Sequence, residues 1–174
     1  MPDELLDVLS SVLCKGLTAA QAAELAADMV PMETPAGRYV VREGEPPTGL
    51  LILLRGTVEI IKQIPDGESQ TIATVTAPTV IGEMGAVTAE ARAASVKTVT
   101  ACHFWLLARA DLQRLLEGES LAAYKLVAGI ADVLARRLAL MNRKVVEFSE
   151  RHREEAPVEE LDALRHRLFS DWSA

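Results

Sequence analysis

The sequence predicts an α+β protein in which helices bracket a compact antiparallel barrel or sandwich. Two patterns carry this expectation. At both ends, apolar residues recur every three or four positions, the period of a helix with one buried face. Between Met32 and Leu107 the texture changes to short Val, Ile, Thr and Leu runs cut by Gly and Pro. Turn signals spaced about ten residues apart suit short antiparallel strands.

The N-terminal helical pattern runs through Leu5, Leu6, Leu9, Val12 and Leu13. Thr18, with Gln21 three residues on, is a capping-box signature and opens a second helix. That helix is expected to reach about Met29, with Pro31 closing it. The strand-like runs are Gly37 to Val41, Gly49 to Leu54, Thr57 to Gln63, Gln70 to Val75, Thr79 to Ile81, Ala94 to Val99 and His103 to Leu107. Pro65-Asp66-Gly67 reads as a hairpin turn, since Pro presets φ and Gly accepts a positive φ. Ala110 to Glu117 reads as a short helix broken by Gly118. A long helix is expected from Glu119 to about Arg153, with Val127, Ile130, Leu134, Leu138, Met141, Val145 and Phe148 in one stripe. Leu126 and Val133 lie off that stripe, so the first half of the helix is expected to be buried on two sides. The stripe is long enough to seat a second copy of the chain in a homodimer, or to pack only on its own domain. From Glu154 the chain is charged, with a short helical pattern from Glu159 to Phe169.

The chain has 174 residues, 49% of them hydrophobic and 25% charged, so a real core is available and wholesale disorder is excluded. The net charge of -7 argues against nucleic acid or an anionic membrane as the main partner. No apolar run has the length of a membrane span. The acidic start Met1-Pro2-Asp3-Glu4 lacks a signal-peptide pattern. Two cysteines, Cys14 and Cys102, lack metal spacing and fit a reducing cytoplasm. His103, His152 and His166 are scattered and none has a nucleophilic partner at useful spacing, so no enzyme, metal or cofactor is expected.

The informative stretch is Ile81 to Val96, IGEMGAVTAEARAASV. Gly82 and Gly85 permit close backbone approach to a ligand. Arg92 offers a planar fork matched to two phosphate oxygens. Ala93 and Ala94 carry no bulk, so their backbone N–H groups are candidates for the same anion. Glu83 is an acceptor suited to sugar hydroxyls. Glu83 and Arg92 also offset each other's charge, which lowers the penalty of burying either.

This stretch resembles the phosphate-binding cassette of cyclic nucleotide-binding domains, found in catabolite activator-like bacterial regulators, kinase regulatory subunits and cyclic nucleotide-gated channels. The matching residues are Gly82-Glu83-Met84-Gly85 and Arg92-Ala93-Ala94-Ser95-Val96. Glu43-Gly44-Glu45, Leu51-Ile52-Leu53 and Gly56-Thr57-Val58 look like the family's glycine-bounded strand pair. Leu134-Ala135-Arg136-Arg137-Leu138 is similar to its long C-terminal helix. The resemblance implies a jelly-roll-like antiparallel β-roll with N-terminal helices and a long C-terminal helix. One domain would span 1–153, with N-terminal helices 1–31, β-roll 32–109 and C-terminal helices 110–153; 154–174 would be a charged tail with a short helix.

It also implies a cyclic nucleotide as ligand. Arg92 would pair the cyclic phosphate, with the Ala93 N–H as a second donor. Glu83 and the Gly82 backbone would hold the ribose 2′-hydroxyl, and Ile72, Val75 and Met84 would wall the base or sugar. Ala93, where cGMP-preferring members tend to carry Thr, tilts the expectation to cAMP. Ala91 and Ala86 depart from the family's Pro and larger apolar residue, and neither departure removes a ligand contact that the resemblance implies. Asn142 and Met141 align with base-capping positions, although Met141 also fits plain stripe core. Too few residues follow Glu147 for a winged helix-turn-helix, so the expectation is either a stand-alone sensor acting on an unidentified downstream protein or a fragment of something larger. The alternative is a nucleotide-free scaffold that works through its helices; a weaker one is another anion, such as a cyclic dinucleotide.

Overall fold

Among the residues described by the computed structural model, 2–14, 16–64, 67–88 and 90–151, eight strands form two four-stranded antiparallel sheets. Helix α1 (Pro2–Val8) runs into a π-helical turn (Leu9–Leu13), and α2 (Ala19–Ala27) follows. The strands are β1 (Met29–Thr34), β2 (Tyr39–Val41), β3 (Gly49–Arg55), β4 (Thr57–Gln63), β5 (Ser69–Thr76), β6 (Thr79–Ile81), β7 (Ser95–Thr98) and β8 (Cys102–Ala108). Helix α3 (Glu83–Thr88) lies between β6 and β7; α4 (Arg109–Glu117) and α5 (Leu121–Arg151) follow β8. Strand orders are β1-β8-β3-β6 and β2-β7-β4-β5. This is the expected antiparallel β-roll with helices before and after it.

Strand β3 explains the layering. Its run Gly49-Leu50-Leu51-Ile52-Leu53-Leu54 is buried throughout, where a sheet with one wet face would alternate. Leu51 and Leu53 meet Val41, Val58, Val96 and Phe104 between the sheets. Leu50, Ile52 and Leu54 face the other way, into a cluster with Leu5, Leu25, Leu112, Leu126 and Ile130 from the helices. One strand therefore serves two cores.

The Thr18 capping box forms as read: Gln21 N–H donates to Thr18 Oγ1 and Thr18 N–H donates to Gln21 Oε1. The helix it opens stops earlier than expected, at Ala27, and Met29–Thr34 is a strand. The expected helical boundary at 31 is thereby corrected. Pro31 lies inside β1, opposite Trp105. An edge strand bonds on one side only, so a residue without an N–H is tolerated there. The Pro65-Asp66 half of the expected turn lies outside the described residues; Gly67 has the positive φ, +82°, and Ile64 N–H donates to Glu68 O.

Helix α4 ends at Gly118, but the left-handed residue is the next one, Glu119, at φ +58°. The turn brings Ser120 N–H to Leu115 O, and Ser120 Oγ then accepts from Ala123 N–H to start α5. Helix α5 divides between two compact units, Met1–Leu134 and Ala135–Ala174. In the first, Ala122, Ala123, Leu126 and Ile130 are fully buried, and Val127, Val133 and Leu134 pack beside them. Leu126 is therefore core, and the buried face is wider than the stripe. In the second unit Leu138, Met141 and Val145 are 51, 62 and 47% exposed. The Phe148 side chain and the charged tail 154–174 lie outside the described residues.

Candidate functional site

The candidate site is assembled where β6 leaves its sheet. Gly82, at φ +81°, turns the chain from β6 into α3, a conformation that L side chains resist. A Cβ at Gly82 would collide with Arg92 Nη1, so the missing side chain makes the space for the guanidinium. Helix α3 buries Glu83, Gly85 and Ala86, and leaves Met84 and Val87 45 and 46% exposed. Gly85 packs on Pro47; a Cβ there would lie 2.7 Å from the proline ring.

Arg92 is 6% exposed and Glu83 is 7% exposed. The guanidinium donates to Gly82 O at 3.3 Å through Nη1, and to Thr48 Oγ1 at 3.0 Å and Gly49 O at 2.8 Å through Nη2. These bonds use three of its N–H donors. Burial pulls the guanidinium below its ordinary value, and the charges of Glu83 and then Glu45 push it back. Arginine nevertheless remains cationic at neutral pH. The expected charge compensation between Glu83 and Arg92 is thus present as field, while backbone carbonyls fix the geometry.

The main chain around Arg92 is stitched to the segment before β3. Arg92 N–H donates to Glu45 O and Gly44 N–H donates to Arg92 O, both at 2.9 Å. Glu43 N–H donates to Ser95 Oγ at 2.9 Å. From β4, Lys62 Nζ donates to Ala93 O at 2.8 Å and to Glu43 Oε1 at 2.6 Å. Gln63 N–H reaches Glu43 Oε2 at 3.0 Å. The bond to Lys62, then that from Gln63, hold the Glu43 carboxyl below its ordinary value.

The structure therefore brings Gly82, Glu83 and Arg92 together, with Gly85 packed alongside and Ala93 exposed and Ala94 half-buried just beyond. Val75 packs on the core between the sheets. Ile72 is 56% exposed at a bulge, skipped between the pairs Ile60↔Ala73 and Ile61↔Thr71. Met141 and Asn142 are exposed on the second unit. The sequence reading missed Thr48 and Gly49, which hold the guanidinium, and Lys62. Thr48 sits in a loop of Pro and Gly with no periodicity, and Lys62 reads as an ordinary charged strand end. Ala86 lines a cavity of about 250 Å³ with Val87, Leu112, Leu116 and Val127, between the site helix α3 and helices α4 and α5.

Residues 31–119 match the family model described as "Cyclic nucleotide-binding domain". The chain is 30% identical over 142 residues to Glutaminase 1 of Bradyrhizobium diazoefficiens, covering 82% of this chain and 22% of that protein. The chain thus spans about a fifth of that relative's length. A solved cyclic nucleotide-binding domain from Methylobacillus flagellatus is 29% identical, with a TM-score of 0.66 over 90% of this chain and 84% of that one. The regulatory domain of Toxoplasma gondii PKA, solved with cAMP, is 26% identical, with a TM-score of 0.61 over 65% of this chain and 43% of that one.

Proposed function

Since this chain belongs to the cyclic nucleotide-binding domain family, we propose that it is a cAMP sensor whose α3 and Arg92 segment drive its long C-terminal helix. The observation that carries the reading is a buried arginine, held in place by carbonyls, beside a buried glutamate. An anion arriving there gains a preplaced, desolvated counter-charge, which is worth more than a surface lysine.

In this reading Arg92 takes the cyclic phosphate and the Ala93 N–H adds a second donor. Glu83 and the Gly82 backbone accept and orient the ribose 2′-hydroxyl. Val75, Met84 and Ile72 wall the nucleoside. The small Ala93 favours adenine over guanine, and the likeness to a regulatory domain solved with cAMP supports the same choice. Met141 and Asn142 enter this reading only through their alignment with the family's base-capping positions. Movement of α3 reaches α4 and α5 through the cavity beside Ala86, whose walls belong to all three helices. The domain acts by regulation, without chemistry of its own, on a partner protein. Its two buried free cysteines suit a reducing cytoplasm.

The exposed row Leu138, Met141 and Val145 favours a homodimer through the C-terminal helix. The same row is what a nucleotide-free scaffold would use. Calorimetric titration with cAMP and then cGMP separates the two readings. Micromolar binding, tighter for cAMP, is the expected result. Absence of heat with folded, nucleotide-stripped protein favours the scaffold, as does light scattering that is unchanged by nucleotide. Binding of a cyclic dinucleotide instead would reassign the ligand.

A further inference from the structure

Resting on the cAMP reading, we propose that Lys62 and Glu43 are positioning residues for the phosphate, setting Arg92 and Ala93 before ligand arrives. Neither lies in the Gly82–Val96 stretch. Lys62 comes from β4, which pairs with β7 just after the Arg92 segment, and Glu43 from the segment between β2 and β3. The Lys62 ammonium is the junction: one bond fixes the Ala93 carbonyl, and another fixes Glu43. Glu43 is anchored twice more, by Gln63 N–H on β4 and through its own N–H to Ser95 Oγ. The adjoining Gly44 and Glu45 hold both backbone groups of Arg92.

The peptide joining Arg92 to Ala93 is thus held from both sides. Gly44 N–H takes the Arg92 carbonyl, and Lys62 takes the next one along. This matters because the two groups assigned to the phosphate, the guanidinium and the Ala93 N–H, flank that same short segment. Any swing of the segment would misalign both together. Lys62 acts through the carbonyl of Ala93 and needs no contact with the nucleotide. Its side chain is 45% exposed and that of Glu43 is 21% exposed, so the pair contributes little to overall stability. Binding should feel its loss more than folding does.

The test is calorimetric titration of the whole chain with cAMP, wild type against Lys62→Met, Lys62→Arg, Glu43→Gln and Lys97→Met. Thermal unfolding without nucleotide is followed in parallel. Lys97, a half-buried cation over the Tyr39 ring, controls for simple loss of positive charge. Lys62→Met should weaken cAMP by about tenfold and Glu43→Gln by roughly fivefold, while Lys62→Arg recovers most of the affinity. Lys97→Met should stay within about twofold, and the melting temperature of Lys62→Met within about 2 °C of wild type. Affinity of Lys62→Met within twofold of wild type, or an equal loss in Lys97→Met, overturns the proposal.

Should the wild type bind no cyclic nucleotide, the sensor reading falls on its own. Amide hydrogen exchange then judges the clamp separately. Lys62→Met should speed exchange at Gly44 and Arg92 by about tenfold or more, with core amides unchanged. Unchanged exchange at those two amides overturns it.

Discussion

Arg92 shows how a charge is kept inside a small domain. Its fork is held by the carbonyls of Gly49 and Gly82 and by the Thr48 hydroxyl, so it is preset before any anion arrives. Replacing it removes the counter-charge and strands those carbonyls. Arg92→Ala is expected to weaken cAMP by about 2–4 kcal/mol in calorimetric titration. Unchanged affinity would remove Arg92 from the phosphate role. At this scale the sequence was informative for a physical reason. Gly82, Glu83 and Arg92 are close in the chain, and each is of a type that the anion chemistry requires. Lys62 and Thr48 are distant in sequence from the stretch they serve. Lysine and threonine also occur wherever a strand or loop meets water, so only the fold joins them to Ala93 and Arg92.

Elements were legible where one periodicity ruled. Thr57–Gln63 and Thr79–Ile81 emerge with the expected bounds, because turn residues flank them on both sides. Strand β1 was missed because Met29 and Val30 continue an apolar helical run, and because proline reads as a terminator. Pairing with β8 overrides both signals. The double burial of β3 yields an element-scale prediction. Ile52→Ala should cost about 2–5 kcal/mol in chemical denaturation, because Ile52 lies wholly inside the helix-side core. A loss below about 1 kcal/mol would contradict that packing. The α4–α5 turn yields the opposite sign. Glu119 holds a positive φ without being glycine, so Glu119→Gly should stabilise by about 0.5–1 kcal/mol, measured the same way. Destabilisation would show that the glutamate side chain supports the turn.

For the whole molecule, the helix-side core also sets an alkaline limit. Burial pushes the Cys14 thiol from 9.0 up to about 11, partly opposed by Lys125. The native state then holds that proton more tightly than the unfolded chain. The contribution is complete below pH 9 and falls as pH rises from 9.0 to about 11. Denaturation midpoints should therefore drop over that window, and Cys14→Ala should flatten the drop relative to wild type. An identical slope in the variant would assign the loss to other groups.

The sheet margins carry one more consequence. Each of the two sheets ends in strands with one unpaired side, the side on which a neighbour's backbone would add. On one sheet, β1 carries Pro31 and β6 has three residues; on the other, β2 has three residues and β5 is interrupted at Ile72. Proline deletes a donor, brevity shortens the ladder, and a bulge throws it out of step. Strand-to-strand polymerisation is thereby blocked at every margin. A concentrated solution of this protein should resist fibril growth, and Pro31→Val should be the change that opens a seam for it.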